Sequence, residues 1–232
     1  MRRIFILFML LIIPFNEAFA DQTRLQLRTA VRALINETDS TNSNFTDTQV
    51  NDALNYGLDY LSDVLPESVQ YKLFSVDAGA SVPISTEVIT LPTGFKKVIS
   101  VELYGKQALP IKLEEVYTRR LIMSSTDPYY YVLSTSLYLI PANTSAVNPY
   151  KMVWLKKPTL LTNDSAVITG SYDAELEIPL ILIAAAVLLK LDGQNAKAAG
   201  FDATAREKLT AYINFMTGTN AAGEPNKAGE TK

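Results

Sequence analysis

Neither histidine nor cysteine occurs anywhere in the 232 residues. Without imidazole or thiolate, the Ser-His and Cys-His nucleophilic arrangements cannot be built, nor can metal sites that rely on those ligands. Acid–base chemistry would fall to Asp, Glu, Lys or Tyr alone. Disulfides go with cysteine, so the redox compartment leaves no mark on the composition. A basic excess is missing as well: 21 Lys and Arg stand against 24 Asp and Glu, a net charge of −3. That argues against a broad cationic face for nucleic acid, though not against a protein that surrounds DNA without gripping it. No glycine-rich phosphate loop is present. The two long apolar runs, Ile4–Phe15 and Ile178–Leu189, have twelve residues each. A twelve-residue helix rises about 18 Å, well short of the ~30 Å of a bilayer core.

What is present suits a globular chain: 48% of residues are hydrophobic and 19% charged, away from the polar, highly charged regime of disorder. The length fits one domain and can bury a real core without staples. Residues 1–20 have the layout of a secretory leader. Arg2 and Arg3 precede the first apolar run, and Ala18-Phe19-Ala20 forms a small-x-small cleavage pattern before Asp21.

Beyond the leader the chain alternates between two periodicities. Leu27, Val31, Leu34 and Ile35 share one helical face, with Arg24, Arg28 and Arg32 four apart elsewhere. After a polar loop at 38–44, Thr46 and Gln49 form a capping-box pattern, and Phe45 and Val50 occupy staple positions. Val50, Leu54, Leu58, Leu61 and Leu65 then recur until Pro66 stops the helix. Strand candidates follow at Val88–Leu91, Ile99–Leu103, Tyr129–Leu133, Leu137–Ile140 and Met152–Leu155, with a short helix at Leu113–Met123. Ile178–Leu189, apolar all round, is a buried helix, packed within its own fold or against neighbouring subunits. Pro179 is tolerated in its first turn and Gly193 is its stop. A last helix lines up Phe201, Ala205, Leu209, Tyr212 and Met216.

The expected fold is α+β, with N- and C-terminal helices packed as a bundle and a β-rich insertion between them. The expected divisions are a signal-peptide-like leader at 1–20, a single domain at 21–216 and a disordered tail at 217–232. Within the domain, 21–66 and 175–216 are helical and 69–168 is β-rich.

Candidate functional residues each have a plainer reading. Glu114 and Glu115 could be a carboxylate pair, but neighbours on a helix do not face each other, and charge at a helix start explains them. Tyr129, Tyr130 and Tyr131 could stack bases or sugars, yet strand aromatics are the simpler account, with Tyr129 and Tyr131 on one face. The Asp164–Asp173 segment could bind calcium weakly but lacks EF-hand spacing. Asn36, Asn44, Asn143 and Asn163 begin N-x-S/T triplets, as chance allows in a chain rich in these residues. The expectation is therefore no catalytic, cofactor-binding or metal-binding residue, and no enzyme.

The order of several segments is familiar. The Phe45–Leu61 segment (FTDTQVNDALNYGLDYL), Leu91–Leu103 (LPTGFKKVISVEL), Pro128–Tyr131 leading to Leu137–Pro141, and Val153–Leu161 (VWLKKPTLL) before the apolar helix resemble head-to-tail connector (adaptor) proteins of tailed bacteriophages. The resemblance covers roughly residues 23–216. It implies a virion protein forming a ring, usually twelve-fold, between portal and tail or nozzle. DNA would pass through the lumen without sequence-specific binding, and the mature form would have no membrane contact. An acidic chain suits such a channel, because strong phosphate contacts would hold the DNA. Ala184, Ala185 and Ala186 would let neighbouring subunits approach closely, and Leu182→Asp, by placing a charge in a buried helix, is expected to impair assembly. The leader departs from this pattern, since an adaptor assembled in the cytoplasm has no need of export. An exported, periplasmic or secreted binding module is the alternative. A hydrolase of the glycosidase type would need two carboxylates ~5 to 10 Å apart in a cleft, which nothing in the sequence indicates.

Overall fold

The computed structural model describes residues 21–37, 44–77, 86–122, 124–143 and 150–218. The leader-like residues 1–20 and the expected tail beyond Gly218 lie outside them. Helix α1 (Arg24–Ile35) begins at a capping box: the Thr23 side chain accepts from the Gln26 N–H, and the Gln26 side chain accepts from the Thr23 N–H at 2.8 Å. It ends at Asn36 in the left-handed conformation, φ 64°, a C-terminal position Asn tolerates better than most residues. Helix α2 (Asp47–Val64) repeats the device with Thr46 and Gln49. Phe45 and Val50 are both buried, as a hydrophobic staple requires. The helix runs out just before Pro66, at Leu65.

The sheet has seven strands: β1 (Phe74–Asp77), β2 (Thr86–Thr90), β3 (Phe95–Leu103), β4 (Lys106–Pro110), β5 (Tyr129–Leu133), β6 (Ser136–Asn143) and β7 (Lys151–Lys156). Their spatial order is β1-β7-β3-β4-β5-β6-β2. Neighbours are antiparallel except β4 and β5, which pair parallel through Leu109 with Tyr129 and Pro110 with Tyr130. A parallel pair needs a crossover, supplied here by a 3-10 turn (Leu113–Glu115) and helix α3 (Val116–Leu121). The sequence pattern missed β1 and β4. Both are short, and β4 (KQALP) buries only Ala108, leaving no apolar alternation to read. The expected helix at Leu113–Met123 is shorter than its pattern, and Met123 lies outside the described residues.

Helix α4 (Glu177–Leu191) packs against α1, α2 and α5 (Asn195–Thr217). Ala184, Ala185 and Ala186 are fully buried within the chain. This corrects the expectation that they mediate contact between subunits: the small residues admit the chain's own helices instead. Gly57 of α2 has the same role, because a Cβ there would come within 2.6 Å of Leu180 Cδ1. The last helix begins at Asn195, six residues before the first residue of its apolar stripe, and closes on Gly218, φ 67°.

Two apolar clusters result. One joins the helices with Leu155 and Leu161. The other fills the sheet with Val101, Leu103, Leu139, Tyr150, Met152 and Trp154 among its members. Strand β7 serves both, since alternation sends Met152 and Trp154 to one face and Leu155 to the other. Charged contacts reinforce the join: Lys96 pairs with Asp63 at 2.8 Å and also donates to Ser62, and Lys97 pairs with Glu67. The two lysines of the FKKVISVEL segment thus tie β3 to the end of α2 and to the 3-10 turn (Glu67–Val69) that follows it. Among the described residues the fold is mixed α+β, with five helices and one large curled sheet.

Candidate assembly surfaces

The arginines four apart on α1 converge on carboxylates from other segments. Arg24 and Arg28 both bind Asp164 Oδ1, at 2.6 and 3.2 Å. Arg32, buried, donates to the Phe45 carbonyl at 2.9 Å and pairs with Asp47 at 2.7 Å. Hydrogen bonds from Arg24 and then Arg28 hold the Asp164 carboxyl below its ordinary value. Asp173 is a second hub: it accepts from Tyr71 at 2.7 Å and Tyr212 at 2.6 Å and pairs with Lys72 at 2.8 Å. Burial works against its ionisation, but the bonds from Lys72, Tyr212 and Tyr71 outweigh it, and its pKa is lowered. The same contacts drive the Tyr212 hydroxyl upward, burial contributing most. The two ends of the Asp164–Asp173 segment are therefore engaged by cations of the chain itself.

A depressed carboxylate contributes stability that is present above the unfolded-state value, about 3.9 for Asp, and is lost as pH falls through the folded-state value. Asp164→Asn is expected to lower the melting temperature at pH 7, with the gap to the parent closing as pH falls below about 4. A melting series from pH 7 to 3 checks this; a gap that persists at pH 3 would contradict it.

The other candidates separate in the same way. Glu114 and Glu115 are exposed, in the 3-10 turn before α3. Tyr130 is buried in the sheet cluster. Tyr131 stacks on Tyr138, centroids 4.6 Å apart, and Tyr129 lies under the Arg119 guanidinium at 4.9 Å. All three rings are strand aromatics with partners inside the chain. Of the N-x-S/T triplets, Asn36 closes α1 and Asn44 precedes Phe45 and the Thr46 cap. The Asn163 side chain accepts from the Ser165 N–H at 3.1 Å, a turn contact. Asn143 ends β6. Among the described residues, no group of three or more Asp and Glu is placed to hold a metal ion, and no helix is long and apolar enough to cross a membrane.

Two apolar surfaces stand out among the described residues. Leu113, Tyr117 and Leu121 recur four residues apart, which places them on one face of the 3-10 turn and α3. They and Ile122 point away from both cores; Tyr117 is 75% exposed and Leu121 70%. The second is an open groove of about 300 Å³ between α2, α4 and α5. Tyr56, Tyr60, Val187 and Leu209 line it, with the Lys190–Asp202 pair and Arg206. A large apolar side chain left in water is common singly, whereas a contiguous row marks an interaction surface. The row was readable as an i, i+4, i+8 pattern, but the sequence could not say whether it faced inward.

A sequence model of the SU10 adaptor protein family matches residues 22–228. The chain belongs to that family, in keeping with the resemblance to phage adaptors carried by its segments. No curated protein matches the sequence.

Proposed function

We propose that this SU10 adaptor family member is a non-catalytic structural component of a tailed phage virion, built as a ring between portal and tail with DNA passing through its lumen. Family membership over residues 22–228 supports the adaptor role. The observation that carries the ring is the pairing of two unlike apolar surfaces on one subunit. A closed ring of identical copies uses a heterologous interface, in which patch A of one copy meets patch B of the next. The α3 row and the α2–α4–α5 groove supply an A and a B. Charges of both signs border each surface, Glu114, Glu115, Arg119 and Arg120 beside the row and Lys190, Asp202 and Arg206 in the groove, so apolar contact and not net charge is what joins them. In this reading the terminal helices form the supporting bundle, and the sheet carries the row outward from it.

The net charge of −3 fits a channel in which DNA must slide, since each phosphate neutralised by a cation adds affinity that would slow ejection. The expected result for the purified chain, alone or with a portal, is a discrete ring, twelve-fold in the family pattern, seen by mass photometry and electron microscopy. A chain that stays monomeric at every concentration, with and without a portal, would remove the reading. A stable monomer recovered from the exported fraction would favour the binding module instead.

A further inference from the structure

The seven-stranded sheet is split near its middle. Strand β4 lies between β3 and β5, but it pairs with β3 only from Val101 to Leu103 and with β5 only at Tyr129 and Tyr130. The Ile111 N–H still reaches the Tyr130 carbonyl at 2.9 Å, and the chain then leaves the sheet for the turn before α3. Pro110 has no N–H to carry the ladder further. Past that point β3 keeps β7 as its partner along residues 95–100, and β5 keeps β6 along residues 131–133. On their other sides these stretches meet no strand among the described residues. Two strands that have lost the one between them stand about 10 Å apart, twice the ordinary spacing.

An open cleft of about 330 Å³ occupies the interval, room for a run of main chain and far more than a single water. Residues 95–98 of β3 line one wall, residues 130–132 of β5 the other, and Pro110 and Ile111 lie where β4 leaves. The lining residues are consecutive on both walls. A sheet face shows every second residue, so consecutive lining means the cleft meets both strands edge-on, where main-chain N–H and C=O groups project. Strand β3 is also bulged here, between Phe95 and Lys97 and between Val98 and Ser100, a feature concentrated at sheet edges. Such edges are templates for another strand. Charge sets the chemistry of that strand: Lys96 and Lys97 line the cleft and no acid does. Lys97 keeps 61% of its side chain in water, and its exposed pair with Glu67 is weak enough to share with an incoming carboxylate. We propose that the cleft is a docking slot for an extended acidic segment of another protein, which enters in line with β4 and pairs with β3 and β5 at once. Continuing β4, the segment runs antiparallel to β3 and parallel to β5. Main-chain bonds supply the affinity, while Lys97 and the half-exposed Val132 supply the selectivity. The slot goes beyond the adaptor reading and uses neither the α3 row nor the helical groove.

The chain has no cysteine, so Lys112→Cys, at an exposed residue, puts a single thiol at the end of the cleft where β4 leaves it. The probe is a synthetic peptide, CGTVEVEVT with both ends blocked, joined to that thiol by a disulfide so that its local concentration is on the order of millimolar. Hydrogen exchange read by mass spectrometry is expected to slow about tenfold or more in residues 95–98 and 131–133 together. The basic counterpart CGTVKVKVT should protect neither wall, and adding Lys97→Glu should reverse the preference. Protection that is absent, confined to one wall or equal for the two peptides would overturn the proposal. So would exchange that is already slow at every amide of both walls before peptide is added. If that slowing grew with protein concentration, a second copy would be the occupant; if not, the chain would fill the cleft itself. None of these readouts depends on ring formation, so the failure of this proposal and that of the adaptor reading are distinct.

Discussion

Leu182→Asp is expected to abolish the folded subunit, with no cooperative melt and recovery only as aggregate. The side chain is 8% exposed, on a helix whose other members Leu180, Ala184, Ala185 and Leu188 show no exposed surface at all. Removing a buried leucine costs about 2 to 5 kcal/mol. Placing an unpaired carboxylate in the same space adds several more. Together these approach the ~5 to 15 kcal/mol that holds a domain folded. The loss is one of the monomer, and failure to form rings would be its consequence. The control is Leu182→Met, which keeps the volume and is expected to cost under about 1.5 kcal/mol. Circular dichroism melts of the two variants decide the matter. A Leu182→Asp chain that melts within a few degrees of the parent would mean the side chain is not packed as described.

The opposite behaviour is expected on α3. A chain carrying both Tyr117→Asp and Leu121→Asp should fold and melt like the parent yet fail to assemble. Both side chains are largely in water and outside the two apolar clusters, so each substitution should change stability by about 0.5 kcal/mol or less. In an interface the same residues are apolar anchors, and losing an anchor costs on the order of 2 kcal/mol, roughly 30-fold in affinity. Two per contact, repeated around a closed ring, should shift the protein to monomer at concentrations where the parent assembles. Sedimentation velocity beside a thermal melt separates the cases. Intact rings would remove α3 from the interface, and a large fall in melting temperature would make the row a structural element.

These two sets of residues look alike in the sequence and differ only in where the chain puts them. Ile178–Leu189 and the Leu113, Tyr117, Leu121 row are both apolar and helical by spacing. Length separates them physically. The fifteen-residue α4 presents faces all round and is enclosed by three helices. The six-residue α3 is a crossover that follows a strand burying one residue. Some helix ends were legible because capping is local chemistry: Thr46 with Gln49, Pro66 and Gly193 act within a few residues of themselves. Strands β1 and β4 were not, because a short strand is specified by its neighbours and not by its own alternation.

The candidate site divides along the same line. By itself the sequence determined what chemistry was out of reach, through the absence of histidine and cysteine. It also determined the α+β class, the start and end of α2 and the family likeness, all of which are carried by composition or short-range order. Only the tertiary structure decided that Asp164 and Asp173 serve cations of their own chain, that Ala184–Ala186 face inward, that α3 faces outward, and that buried Glu177 accepts from the Gln22 N–H. Each of those depends on pairing residues 100 or more apart, or on which face of an element meets the core. Burial and hydrogen bonding are satisfied by whatever the fold brings near, and the spacing of residues along the chain does not record that.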